Sequence, residues 1–235
     1  MNARRGHGRF GHLPTWDILV TTIPHRHKVL CELLASLDAQ IEFPPSYRMY
    51  GVRAVVYRDN LAVSYGAKIR ALQEASEADY VSCVDDDDLL APDGVRRITA
   101  ALRTRPDYVG FAVAWTRDGV PQLRIEHSLR YGNWGGNGEM LYRDISEKNP
   151  MRRTIALAGH WEGGYGAEGR WAHSIRTSGL LQADREAWLP DPPVYLYRES
   201  TADTFNSARE PLPPDQVQPL PAYPWLHVLD AEGSC

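Results

Sequence analysis

Four consecutive aspartates, Asp85 to Asp88, stand between the apolar run Tyr80–Val84 and the segment Leu89-Leu90-Ala91-Pro92. Like charges packed so closely repel one another, so the run needs either a cation or the water around an exposed loop. Hard carboxylate oxygens suit Mg²⁺ or Mn²⁺, and Mg²⁺ usually completes its shell with water and substrate phosphates. A metal ion seated on a diphosphate neutralises the charge that builds on a leaving group. Ligands of open parallel sheets bind outside the carboxyl ends of the strands, and a strand over 80–84 would deliver Asp85 to that crevice. A strand running into Asp-x-Asp is therefore the chemistry expected for a nucleotide-diphospho donor. The bland alternative is a solvated turn before a helix, with Asp93 beside Pro92 favoured by the helix dipole. An EF-hand calcium loop is excluded, because DDDDLLAPDGVR lacks the alternating acids and the distant Glu of that pattern.

The elements that must position these carboxylates are legible from hydrophobic period. Asp17–Thr22 is a short β-prone run closed by Pro24, and Leu30, Leu33, Leu34 and Leu37 then form the stripe of an amphipathic helix. Val52–Tyr57 reads as a second strand. Ser64 can cap a helix through about Glu77, with Ala67, Ala71, Leu72 and Ala75 facing inward. Tyr80–Val84 is a third strand; Pro92 opens a helix bearing Val95, Ile98, Ala101 and Leu102, and Val109–Trp115 is a fourth strand. This alternation predicts an α/β fold with a mostly parallel central sheet and helices on both faces. Beyond Trp115 glycines and aromatics crowd the chain, helical period returns only at about Trp171–Ser178, and Val194–Tyr197 reads as one more strand. Residues 211–224, PLPPDQVQPLPAYP, are proline-rich and read as extended, either a tail or a strap over the domain.

Bulk composition narrows the class. The 235 residues carry 26 Lys+Arg against 30 Asp+Glu, a net charge of −4, and are 43% hydrophobic, which is ordinary for one globular domain. No run approaches the roughly 18–20 apolar residues of a membrane span, and the basic start MNARRGHGRFGHLP lacks a signal-peptide hydrophobic region. Cys31, Cys83 and Cys235 lie far apart without a CxxC pair, which argues against a disulfide framework or thiolate zinc site and fits a reducing, cytoplasmic setting. The mildly acidic total gives no global drive toward nucleic acid. Asp85–Asp88 alone account for the whole net charge.

A series of motifs carries a family resemblance. Thr22-Ile-Pro-His-Arg26 after the first strand, Tyr57-Arg-Asp-Asn60, Ser64-Tyr-Gly-Ala-Lys68 and Ala78-Asp-Tyr-Val-Ser-Cys-Val-Asp85-Asp-Asp-Asp88 occur in that order. Together they resemble the family-2 glycosyltransferases with a GT-A fold, of the nucleotide-diphospho-sugar transferase superfamily, over roughly residues 17–115. The resemblance implies a Rossmann-like GT-A domain over 15–210, with a nucleotide-binding half at 15–115 and an acceptor and catalytic half at 116–210. A basic N-terminal tail, 1–14, and a Pro-rich C-terminal tail, 211–235, flank it. It implies an enzyme using Mn²⁺ or Mg²⁺ and a nucleotide-diphospho-sugar, a UDP-sugar first among them. Thr22, Pro24 and Arg26 would lie against the nucleoside, Asp59 would contact the base, and Lys68 would stand near base or phosphates. Asp85 would contact the ribose or metal and Asp87 the metal; Asp86 holds the variable place in the donor site, and Asp88 is a weaker candidate. The bland readings are a surface lysine for Lys68 and an Asx-turn for Asp59-Asn60.

The second half is less regular. Inverting transfer needs a base for the acceptor hydroxyl, and the resemblance supplies it as the Asp in a segment like Gly-x-x-Glu-Asp-x-x-Trp. Here Gly164-Tyr-Gly-Ala-Glu168-Gly-Arg-Trp171 reads with a matching glutamate and a glycine where the aspartate is expected. Glu168 is the preferred base and Glu162 the other, with a structural pairing of Glu168 to Arg170 as the bland reading. The resemblance also makes His173 a candidate third metal ligand, against a surface role. Asn149-Pro-Met-Arg-Arg153 and Tyr195-Leu-Tyr-Arg198 resemble later family segments. Trp134, Trp161, Tyr165 and Trp171 are sugar platforms or core. Competing functions are a nucleotidyltransferase, for which no Gly-rich pyrophosphate loop is seen, and a carbohydrate- or nucleotide-binding module that keeps the fold without catalysis. The acceptor is open: a saccharide or lipid-linked sugar is favoured, and a modified DNA base stands second, with Arg4, Arg5, His7 and Arg9 as a basic patch. The compact length suits an unembellished bacterial or phage enzyme.

Overall fold

Every residue from Trp16 to Val20 is buried, so the first strand needs cover on both faces. In the computed structural model, which describes residues 13–41, 51–132, 135–164, 166–199 and 211–230, helices supply that cover. Strand β1 (Trp16–Thr22) lies between β2 (Val52–Arg58) and β3 (Tyr80–Cys83), parallel to both. Side chains alternate between two cores, as the period of two requires. Trp16, Ile18 and Val20 meet Leu30, Leu33, Leu34 and Leu37 of α1 (His27–Ile41) and Val95, Ile98 and Leu102 of α3 (Gly94–Leu102). On the other face Leu19, Val55, Val81 and Cys83 meet Ile69 and Leu72 of α2 (Tyr65–Ala75) and Trp171 and Ile175 of α5 (Ala167–Thr177). Asp17 is the charged residue on β1. Its buried carboxylate is satisfied by Arg53 at 2.6 and 2.8 Å and by the Ser76 hydroxyl at 2.7 Å.

The mostly parallel α/β sheet and the helices on two faces agree with the expectation, and boundaries differ by a few residues. Helix α2 stops at Ala75 because Ser76 turns extended, and α3 begins at Gly94 rather than Pro92. Helix α5 starts a turn before Trp171 and closes at Thr177. The fourth expected strand, β5 (Tyr108–Arg117), does not pair with β3 directly. The two-residue β9 (Met151–Arg152), followed at once by α4 (Arg153–Ala156), bonds antiparallel to both and sits between them.

Beyond β5 the sheet changes character. Strand β6 (Val120–His127) returns antiparallel along β5 through Asp118 and Gly119, at φ 49° and 78°. An Asp-Gly pair with both φ positive matches strand twist and makes a tight hairpin. That dipeptide between two β-prone runs was the available signal for β6. Strands β8 (Met140–Arg143) and β7 (Gly135–Gly136) extend this edge. Along the other side of β5 run β10 (Glu186–Leu189) and β11 (Tyr195–Glu199), and β11 also holds the short β4 (Leu89–Leu90) just after the aspartates. At the far edge β12 (Leu226–Asp230) pairs parallel with β2. The proline-rich residues before β12 cross the molecule as a strap. The Gln218 carbonyl accepts from Arg58 at 2.6 Å, and Trp225 donates to Asp38 at 2.9 Å. Cys31 and Cys83 are free thiols, and no described helix is long and apolar enough to cross a membrane.

The two-sided core generates a stability prediction. Leu33 is fully buried between α1 and the sheet, so Leu33→Ala lowers the unfolding free energy by about 2–5 kcal/mol. Lys28→Ala, at an exposed position of the same helix, shifts it by less than about 0.5 kcal/mol. Urea denaturation of the two variants checks both values.

Candidate active site

Strand β3 hands the chain to the aspartate turn, where the Asp88 amide bonds back to the Asp85 carbonyl at 3.0 Å. The turn divides the four carboxylates into two kinds. Asp86 and Asp88 are buried, at 1% and 0% exposure, whereas the side chains of Asp85 and Asp87 are each 28% exposed. Asp86 accepts from the Thr22 hydroxyl at 2.6 Å and from Arg26 at 2.5 Å. Asp88 accepts from the Tyr195 hydroxyl and the Arg198 amide, both at 2.7 Å. These two are structural anchors, so a direct donor or metal contact does not fit either of them. Asp87 pairs with Arg26 at 2.6 Å, and Asp85 pairs with Lys148.

Electrostatics follow from that burial. Burial pushes the Asp86 carboxyl up to about 7, although Arg26 and the Thr22 hydroxyl pull it back. Burial likewise raises Asp87, opposed by Arg26, and raises Asp88 well above the usual carboxylate range. Burial works against the Arg26 charge, and Asp86, Asp87 and Asp85 outweigh it.

The other residues expected on the donor side lie near the same ends of the strands. Thr22 closes β1, and Pro24 is buried in the single turn that carries Arg26 to the aspartates. Asp59 follows β2, and its amide bonds the Thr22 carbonyl at 3.4 Å. Lys68 is no surface lysine: it is buried on α2 and ion-paired with Asp59, whose other oxygen accepts from the Val63 amide at 2.8 Å. Gly66 explains its own place in the motif. A Cβ there would stand 2.9 Å from the Gly163 carbonyl, so the missing side chain lets α2 approach the start of α5.

Glu168, the expected base, lies half-buried in the first turn of α5. Its expected structural pairing is not made, since Arg170 donates to the Glu162 carbonyl at 2.5 and 3.1 Å. Glu162 itself is exposed. Trp171 is fully buried, donates to the Ala156 carbonyl at 3.0 Å and stacks on Trp161 at 5.2 Å, which makes it core rather than a sugar platform. Trp161 is half-buried and also touches Tyr65 edge-on. Trp134, Tyr165 and the arginines at 4, 5 and 9 with His7 lie outside the described residues.

Two residues of the site were not foreseen. Glu147 and Lys148 belong to a loop whose Glu147 carbonyl accepts from the Cys83 amide at 2.7 Å, beside the end of β3. Burial raises the Glu147 carboxyl, and the nearby charges of Asp85 and Glu168 add to that rise. Lys148, 3.6 Å away, opposes that rise. No local pattern marks either residue, because only the insertion of β9 brings the loop to β3.

The residues present fit a divalent ion in part. Asp85 and Asp87 offer hard oxygens at one rim, and diphosphate and water would have to complete the shell. Among the described residues no three of His, Cys, Asp and Glu gather as a metal-holding group. His173 is exposed on α5 and does not join the two aspartates in one.

No protein-family model and no curated protein matches the chain. Among solved structures the fold is similar to that of TarS from S. aureus. TarS 1–349 in complex with UDP-GlcNAc superposes with a TM-score of 0.56 at 16% identity, over 83% of this chain and 61% of that one. The same fragment with UDP gives a TM-score of 0.52 at 18% identity, over 78% and 60%. TarS itself gives 0.54 at 16% identity, over 78% and 36%. The chain spans about three fifths of the TarS fragment it matches. Its fold is the GT-A arrangement that the motif series implies.

The buried anchor yields a pH prediction. Between the ordinary 3.8 and about 7 the folded chain holds a proton on Asp86 that the unfolded chain releases. The unfolded state binds fewer protons there, so this group's contribution to stability falls as pH rises through that window. Asp86→Asn removes that falling component. Urea midpoints between pH 4.5 and 7.5 in EDTA should decline less steeply for the variant; equal slopes would refute the assignment.

Proposed function

We propose that the chain is a family-2 glycosyltransferase that moves a sugar from a nucleotide diphosphate to an acceptor hydroxyl with inversion. The observation that carries this reading is the sorting of the aspartates. The two at the metal-ligand spacing, Asp85 and Asp87, keep side chains 28% exposed, while the other two are buried as anchors. The fold's likeness to TarS, solved with UDP-GlcNAc, supports a UDP-sugar as donor.

In this reading Asp59, braced by Lys68, meets the base, and the Thr22–Arg26 turn closes over the nucleoside. Asp85 and Asp87 would hold Mn²⁺ or Mg²⁺, which when bound neutralises charge on the departing diphosphate. The acceptor oxygen attacks the anomeric carbon as its proton passes to Glu168, and the bond to the diphosphate breaks on the opposite side. Trp171, buried in the core, is taken in this reading as the fixed point of the motif. Counted back three residues from it, Glu168 takes the place of the family aspartate, and fully buried Ala167 takes that of the glutamate. The glycine at 169 is then not a lost base, which favours an active enzyme over a binding module. A saccharide or lipid-linked sugar is the favoured acceptor, ahead of a modified DNA base.

A thermal-shift screen of nucleotide sugars with and without Mn²⁺ tests the donor reading. Stabilisation by a UDP-sugar that depends on Mn²⁺ and disappears in Asp87→Ala is expected; no response to any nucleotide diphosphate refutes it. Glu168→Gln is expected to keep donor binding and to lose transfer by about 10²–10⁴-fold, the range for a general base. Full transfer by that variant would remove Glu168 from the role.

A further inference from the structure

Among the described residues Lys148 is the cation paired with Asp85, and it comes from a segment that no donor-site motif contains. Its side chain is only 12% exposed, and besides Asp85 it has Glu147 at 3.6 Å. The loop that carries it is pinned on several sides. Cys83 donates to the Glu147 carbonyl at 2.7 Å, the Asn149 side chain donates to the Val109 carbonyl at 2.8 Å, and the Ser146 amide donates to the Tyr108 hydroxyl at 3.1 Å. Burial works against the ammonium charge and the Asp85 carboxylate outweighs it, so the lysine stays charged.

A cation held there has a consequence for any ion that uses Asp85. A divalent metal and Lys148 compete for one carboxylate, and a partly buried ammonium cannot be released without a new partner. Both needs are met if Lys148 keeps Glu147 on one side and gains an anion on the other. The chemistry of that anion is a diphosphate, which brings negative charge to the same rim that the metal occupies. Arg26 has the same design on Asp87, because Asp86 retains it at 2.5 Å if Asp87 is given up.

We propose that Lys148 is a positioning residue that occupies Asp85 until metal and nucleotide diphosphate arrive together, and then pairs with the diphosphate. The proposal rests on the donor reading above. Metal alone then binds poorly, nucleotide alone binds poorly, and each strengthens the other by one shared factor, since coupling between two ligands is reciprocal.

The test measures Mn²⁺ binding by the electron paramagnetic resonance signal of free Mn²⁺, alone and with UDP, together with UDP affinity by calorimetry in Mn²⁺. The proteins are the full chain and its Lys148→Met variant. In the wild type UDP should tighten Mn²⁺ binding by about 5–150-fold, the usual span of such coupling. Lys148→Met should bind Mn²⁺ alone at least about fivefold more tightly, bind UDP more weakly, and lose most of the mutual enhancement. A merely structural lysine predicts the reverse for the metal, because a disturbed loop would weaken it. Lys148→Arg should restore the wild-type pattern, and Lys148→Gln repeats the measurement should the Met variant unfold. Unchanged or weaker Mn²⁺ binding by folded neutral variants, beside normal coupling in the wild type, overturns the inference and leaves the donor reading standing. A wild type that binds no UDP with or without Mn²⁺ overturns both.

Discussion

Asp85 to Asp88 end a buried strand, and four adjacent carboxylates in that place are tolerable only because protein groups reach each one. Thr22 and Arg26 come from β1 and the turn after it, Tyr195 and Arg198 from β11, and Lys148 from the loop before β9. A buried carboxylate without such partners would cost several kcal/mol or take up a proton. Three separate stretches of chain are therefore drawn to one rim by a single electrostatic demand. The inward pair, Asp86 and Asp88, ties the turn down. The other pair keeps partly exposed side chains, with its oxygens on protein cations instead of on each other.

The same rim is where the two halves of the molecule meet. Gly66 lets α2 touch the start of α5, so the helix bearing Lys68 and the helix bearing Glu168 share a close contact. Trp161 and Trp171 fill the space behind that contact, and Trp161 reaches back to Gln73 of α2 at 3.0 Å. On the donor edge the strap holds the loop after β2, where the Asn60 side chain exchanges two hydrogen bonds with the Leu212 backbone at 2.7 and 2.9 Å. Asp59 is thus braced by Lys68 on one side and by a chain segment from far downstream on the other.

Much of this was legible in the residues. The leucine stripe at 30, 33, 34 and 37 is a local period of 3.6, and it packs as such on one face of the sheet. The β-prone runs at 17–22, 52–57 and 80–84 are strands because both faces are covered, which is why they read as continuous apolar stretches. Lys68 was readable as a functional candidate from its motif, and its burial against Asp59 bears on the choice over a surface lysine. The β5–β6 hairpin carries its signal in the Asp118-Gly119 dipeptide. Glu147, Lys148 and the insertion of β9 had none.

The alternation of strands and helices and the placing of the aspartates at a strand's carboxyl end follow from residue order alone, because both are set by spacing along a few residues. Which aspartates turn inward, that Arg26 and Lys148 stand as their counter-cations, and that Trp171 belongs to the core while His173 is exposed on α5 were settled by packing across the fold. Those outcomes depend on contacts between segments far apart in the chain, where the cost of burying a charge is met by whichever partner the fold brings within reach.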